Sequence, residues 1–149
     1  FLDFDKNAHM EHSTETQMPF IKNYFNSEVL EIVYGKIDAK DLSLLITELL
    51  KDKDNFLVIS TDLSHFYTLT EANILDEICI EAIKNQDLDK LTKSCEACGK
   101  EGVKALLIAA KEFDYKVKFL DYKTSFDVTK DKSKVVGYAS FVIGKSIVI

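Results

Sequence analysis

The stretch "NFLVISTDLSHF", residues 55–66, holds the strongest indication of the fold. Its first half is a short continuous apolar run, which is typical of a β-strand that is buried on both faces of a sheet. Its second half, from Ser60 onward, is a run of polar and titratable residues that includes Asp62 and His65. Sites of open α/β sheets lie beyond the carboxyl ends of strands, so this loop is the first candidate for a functional site.

The segments around this stretch alternate between strand and helix patterns. Apolar stripes at helical spacing predict helices within the segments 11–25, 39–54, 69–86 and 99–114, and a shorter helix within 87–93. Thr70 is the predicted N-cap of the helix 69–86. Alternating or apolar runs rich in β-branched residues predict strands within 28–36, 115–126, 135–143 and 146–149. Strands alternating with helices predict an α/β fold, with a mixed β-sheet flanked by helices on both faces.

The composition indicates one folded domain that spans residues 1–149. Of the 149 residues 46% are hydrophobic and 30% are charged, and no linker or repeat divides them. The net charge is −6 and every cation is a lysine, which argues against binding to nucleic acids or anionic membranes. No apolar run is long enough to span a bilayer. Three cysteines are too few and odd in number for a disulfide framework, so we expect a reducing, cytoplasmic compartment.

Two histidines, His9 and His12, lie close together near the start of the chain. On a helix they would share one face, and on a strand they would point to opposite sides. Their spacing is not that of a zinc-protease helix, so a metal site and a pair of ordinary polar residues both remain open. Pro19 interrupts a helix here unless it falls in the first turn, which leaves Ser13 as only one candidate for the helix start.

The sequence Cys95-Glu-Ala-Cys98-Gly is a CxxC motif without a second copy in the chain. A Cys₄ zinc site is therefore excluded, whereas a redox dithiol, a different metal site and coincidence remain open. Cys98 directly precedes a predicted helix, whose N-terminus favours the thiolate form that binds metals. Cys79 lies on the apolar side of its helix and is a predicted core residue. His12, His65 and Cys98 are together the candidates for one metal centre with an open coordination position.

Four segments, taken in order, carry a family resemblance: "AHMEHSTETQMPFI", "ISTDLSHF", "CEACGKEGV" and "LDYKTSFDVTKDKSKVVGYAS". With them the chain resembles the Memo family, and in particular the bacterial and archaeal group called AmmeMemoRadiSam system protein B. The resemblance implies the fold of class III extradiol dioxygenases, which is LigB-like. The family has a further metal-site histidine in an N-terminal segment without a counterpart here. We therefore expect the chain to represent the C-terminal portion of the family fold.

The resemblance also implies roles for four residues. His12 and Cys98 correspond to metal ligands, and His65 and Asp62 correspond to an acid–base group and its orienting partner. A His/Cys set suits an iron, copper or zinc ion. The implied function is metal-dependent redox or oxygenase-like chemistry. The alternatives are a non-catalytic module that binds a protein, peptide or small molecule in the same pocket, and an inactive truncated form that becomes a homo-oligomer through an exposed sheet edge.

Overall fold

A computed structural model describes residues 12–25 and 27–145 of the chain. The chain divides into two compact units, an N-terminal unit of residues 1–37 and a C-terminal unit of residues 38–149. His9 and the predicted strand 146–149 lie outside the described residues. The prediction that residues 1–149 form one domain stays a prediction.

The N-terminal unit contains two short helices, α1 (His12–Glu15) and α2 (Met18–Tyr24). Pro19 lies in the first turn of α2, where its missing N–H has no helical acceptor to lose. Ser13 lies within α1 and does not cap the longer helix. The described residues of the predicted strand 28–36 are irregular, because no strand among the described residues pairs with them.

The C-terminal unit contains the helices that the apolar stripes predict. Its elements are α3 (Ala39–Lys51), β1 (His65–Tyr67), α4 (Leu69–Lys84), α5 (Leu88–Ser94), α6 (Lys100–Glu112), β2 (Lys116–Thr124), α7 (Phe126–Thr129) and β3 (Val135–Gly144). The predicted cap of α4 is wrong by two residues. Thr68 is the N-cap, since its hydroxyl accepts the N–H of Glu71 at 3.4 Å while the Glu71 carboxylate accepts the N–H of Thr68 at 3.2 Å.

The sheet has the order β1-β3-β2, and both pairs of strands are antiparallel. The predicted α/β class is confirmed. One face of β2 and β3 packs on the core beside α4, through residues such as Phe119 and Phe141. On β3 the alternate residues Tyr138 and Val142 are exposed. Along β2 the register runs from Lys116 opposite Gly144 to Thr124 opposite Gly137.

Residues 55–61 do not form the predicted buried strand. Their backbone is irregular, and Phe56 is 81% exposed. An apolar run supplies the side chains of a buried strand, but a strand also needs a neighbour that pairs with its N–H and C=O groups. The described part of the sheet offers no such neighbour at this segment.

The core lies between α4, α5, α6 and the sheet. Its most buried members are Leu63, Cys79, Ile80, Ala82, Ile83, Leu91, Cys95, Ala97 and Leu107. Cys79 is a core residue as predicted, and in addition it forms a disulfide with Cys95. The odd cysteine count gave no indication of this bond. None of the described helices combines the length and the apolar character needed to cross a membrane.

Candidate functional site

The hydroxyl of Thr61 connects the two motifs that the sequence singles out. It accepts the N–H of Gly99 at 2.7 Å and lies 3.3 Å from Cys98 Sγ. It also donates to the carbonyl oxygen of Asp62 at 3.0 Å. The polar run that begins at Ser60 and the CxxC segment therefore meet at one point, although Thr61 and Cys98 are 37 positions apart in the sequence.

His65 and Asp62 form a pair within the first of these motifs. His65 Nε2 lies 3.3 Å from Asp62 Oδ2, and the two side chains are 31% and 47% exposed. Both are thus open to solvent on one side and in contact with each other on the other. A carboxylate at one ring nitrogen fixes the orientation and tautomer of an imidazole, so the other nitrogen, Nδ1, is the one left for a ligand.

The backbone around His65 is irregular in a way that sets the direction of its side chain. The pairing of β1 with β3 shifts between His65 and Tyr67, so Phe66 is an extra residue in the strand. Phe66 has a φ of 64°, in the left-handed region that costs a non-glycine residue about 1 kcal/mol. Bulges of this kind re-aim neighbouring side chains and are common next to functional sites.

Two tyrosines border the loops, and both have a raised phenol pKa. Burial and the negative charge of Asp62 raise the pKa of Tyr138, which follows Gly137 on β3. A hydrogen bond to Glu96, together with the charge of that carboxylate, raises the pKa of Tyr67. Both phenols therefore stay protonated at neutral pH and are hydrogen-bond donors.

The two predicted metal ligands lie in different units. Cys98 is an exposed free thiol of the C-terminal unit, three residues after the disulfide-bonded Cys95. His12 is in α1 of the N-terminal unit, where its Nδ1 lies 3.3 Å from Glu15 Oε2. Within residues 12–25 and 27–145 no three His, Cys, Asp or Glu side chains are grouped closely enough to hold a metal ion. The pairing of His12 with Cys98 stays a prediction.

Thr61 and Tyr138 are neighbours of the site that sequence reasoning did not select as site residues. Thr61 belongs to the polar run that follows the apolar stretch, so its position was a usable signal. Nothing in the local sequence around Tyr138 points to Asp62, because hydrogen bonds of Leu63 and Ser64 with Gly137 bring the two segments together. The His65–Asp62 pair was within reach of sequence reasoning, since the two residues are three apart.

Comparisons with known proteins agree with the resemblance. The family model described as Memo-like protein matches residues 1–142. A MEMO1 family protein of Methanobrevibacter smithii is 36% identical over 153 residues, which are 94% of this chain and 54% of the relative. Those of Methanococcoides burtonii and Aquifex aeolicus are 36% and 34% identical, over 95% and 93% of this chain and 59% and 56% of their own lengths. The chain thus spans a little over half the length of these relatives.

Proposed function

The chain belongs to the Memo-like protein family, and on that premise we propose that it contributes to a metal-dependent redox or oxygenase-like site. In this proposal Cys98 and His12 are metal ligands, and His65 with Asp62 is the acid–base pair. The observation that supports it best is the contact of Thr61 with Cys98 and Asp62, which brings a metal-binding type of thiol close to the acid–base loop.

The chemistry of Cys98 fits a metal ligand. Its thiol is free and exposed, whereas Cys79 and Cys95 are joined in a disulfide. It directly precedes Gly99, the N-cap of the 13-residue helix α6. Thiolate and imidazole ligands suit copper, zinc or iron, and such an ion would supply redox or Lewis-acid chemistry when bound.

The remaining residues have roles that require no metal. Asp62 holds Nε2 of His65, so Nδ1 is the atom that takes a proton from a substrate or returns one. In this proposal the phenol of Tyr138, whose pKa is raised by burial and by the charge of Asp62, donates a hydrogen bond to a substrate oxygen. In this proposal these groups bind a small molecule that carries an oxygen acceptor and exchange a proton with it.

A second candidate function is a non-catalytic interaction module that uses the same surface. Phe66, next to His65, is 72% exposed, and Phe56 precedes the loop and is exposed as well. Exposed aromatic side chains near a polar loop are common in binding surfaces for proteins or peptides.

A third element of the proposal is self-association. In the described sheet β2 pairs with β3 on one side only, and its other edge is a surface for a second copy of the chain in the cytoplasm.

Elemental analysis tests the metal proposal. Protein purified without oxygen is offered Fe(II), Cu(I) and Zn(II) in turn, and bound metal is counted after desalting. We expect stoichiometric metal in the wild type and its loss in Cys98→Ser and His12→Ala. His9→Ala is the matched control, because it removes a neighbouring imidazole that has no proposed role.

The outcomes separate the two candidate functions. Metal at background level in the wild type would reject the metal site for this chain. Binding of a peptide or small molecule that survives chelation would then favour the interaction module. Equal metal loss in His9→Ala and His12→Ala would reject the specific role of His12 as a metal ligand.

A further inference from the structure

Asp76 is a carboxylate in the interior of the C-terminal unit, on helix α4. It is 1% exposed. A buried carboxylate is costly unless hydrogen-bond donors satisfy its oxygens. Oδ1 accepts the backbone N–H of Ser64 at 2.9 Å, and Oδ2 accepts the hydroxyl of Tyr122 at 2.7 Å. Both oxygens of the buried group are therefore used.

The backbone that Asp76 holds is the dipeptide between Asp62 and His65. Its two residues are also bonded to β3: Leu63 N–H donates to the carbonyl of Gly137 at 2.9 Å, and Gly137 N–H donates to the carbonyl of Ser64 at 3.0 Å. Helix α4 and strand β3 thus fix this dipeptide from two sides. This fixed backbone in turn determines the positions of the Asp62 and His65 side chains, which flank the dipeptide.

Gly137 allows the carboxylate to come this close to β3. A Cβ atom at this position would lie 1.8 Å from Asp76 Oδ2 and 2.6 Å from its Cγ. Such distances are far below van der Waals contact, so no other residue fits while Asp76 keeps its place. The absence of a side chain at Gly137 and the hydrogen bond from the Tyr122 hydroxyl therefore together fix the position of the Asp76 carboxylate.

We propose that Asp76 is a positioning residue for the acid–base pair: by holding the backbone of Ser64, it sets the approach of His65 to Asp62. The inference deepens the proposed function, since it says how that site keeps its geometry. It depends only on contacts inside the C-terminal unit, and not on a metal. Asp76 touches no candidate ligand or substrate group and acts through the loop alone.

The orientation of the His65 ring tests this inference in metal-free protein. Long-range ¹H–¹⁵N NMR of the imidazoles, recorded above the ordinary histidine pKa of about 6.5, shows which ring nitrogen carries the proton. His65→Gln identifies the signals of this ring. In the wild type we expect a single tautomer with the proton on Nε2, facing Asp62. Asp76→Ala should lose that single-tautomer pattern, because Ser64 N–H loses its acceptor.

Conservative and control variants separate positioning from general stability. Asp76→Asn keeps an oxygen for Ser64 N–H and should restore the wild-type His65 signals. Asp127→Ala is the matched control, because it removes another carboxylate that accepts a backbone N–H, that of Thr124 at 2.8 Å. It should leave the His65 signals unchanged.

Two results would overturn the inference. One is a folded Asp76→Ala protein, judged by far-UV circular dichroism, whose His65 tautomer is that of the wild type. The other is the same change of the His65 signals in Asp127→Ala. If Asp76→Ala does not fold, Gly137→Ala takes its place: its methyl group must displace the Asp76 carboxylate, and unchanged His65 signals there would also reject the inference. Because no metal is present, failure of this test and failure of the metal assay are independent.

Discussion

Thr61 connects the two motifs of the site, so its substitution should weaken the contact between them. Thr61→Val keeps the shape of the side chain but removes the acceptor of the Gly99 N–H. The net contribution of one such hydrogen bond is about 0.5–1.5 kcal/mol, so we expect a loss of that size in the free energy of unfolding. Thr61→Ser keeps the hydroxyl and should stay close to the wild type. Urea denaturation of the three proteins measures the difference, and equal stabilities would contradict the contact.

Gly137 gives a second prediction at the scale of one residue. In Gly137→Ala the new methyl group collides with the Asp76 carboxylate, and overpacking of this kind costs about 1–3 kcal/mol. Gly144 is on the same strand and has no atom within 4 Å of an added Cβ, so Gly144→Ala is the matched control. Thermal denaturation should show a clearly lower melting temperature for the first variant only. Similar shifts in both variants would contradict the assigned close contact between residue 137 and the Asp76 carboxylate.

At the scale of an element, the capping box of helix α4 gives a prediction about stability. Thr68→Ala removes the side chain that accepts the Glu71 N–H and should destabilise the protein by about 1 kcal/mol. Thr70→Ala, at the cap that the sequence pattern predicts, is the control and should cost less. Denaturant titration of both variants decides between the two positions.

The same cap makes a prediction about pH. Hydrogen bonds from Thr68 hold the pKa of Glu71 below its usual range. Its ionised form is thus favoured in the folded state, and the stabilisation is complete above the unfolded-state pKa and is lost as pH falls through the lower folded-state pKa. The stability difference between wild type and Glu71→Gln should therefore shrink in acid. A difference that grows as pH falls would contradict the assigned hydrogen bonds.

Helices and strands differ in how far the sequence could predict them. The stripe of α3, with Leu42 and Ile46 buried, specifies both a helix and its inner face, because each residue's neighbours lie three or four positions away. A strand depends on a partner elsewhere in the chain, so the apolar patterns at 28–36 and 55–61 predicted strands that the described residues do not form. The cap of α4 was predictable, since Thr68 and Glu71 match the capping-box spacing.

At the scale of the whole molecule, the contacts of the candidate site also differ in how far the sequence could predict them. The family resemblance implies that Asp62 orients His65, and the two side chains lie 3.3 Å apart. The hydrogen bonds of Thr61 with Gly99 and of Tyr122 with Asp76 join segments that are distant in sequence, and the tertiary fold creates them. Motif reasoning therefore identifies the residues of a site more readily than the residues that hold them in place.

The disulfide between Cys79 and Cys95 gives the last prediction, which concerns the stability and the compartment of the protein. It closes a loop with a sequence separation of 16 between α4 and the end of α5, and a crosslink over such a loop contributes about 3 kcal/mol. Reduction should lower the free energy of unfolding by that order, while Cys79→Ala/Cys95→Ala should not respond to reductant. Thiol titration in denaturant should find one thiol per chain before reduction, Cys98, and three after it. Three thiols in protein isolated without oxygen would instead mean that the two buried cysteines are reduced in the cell, in agreement with the cytoplasmic location that the cysteine count predicts.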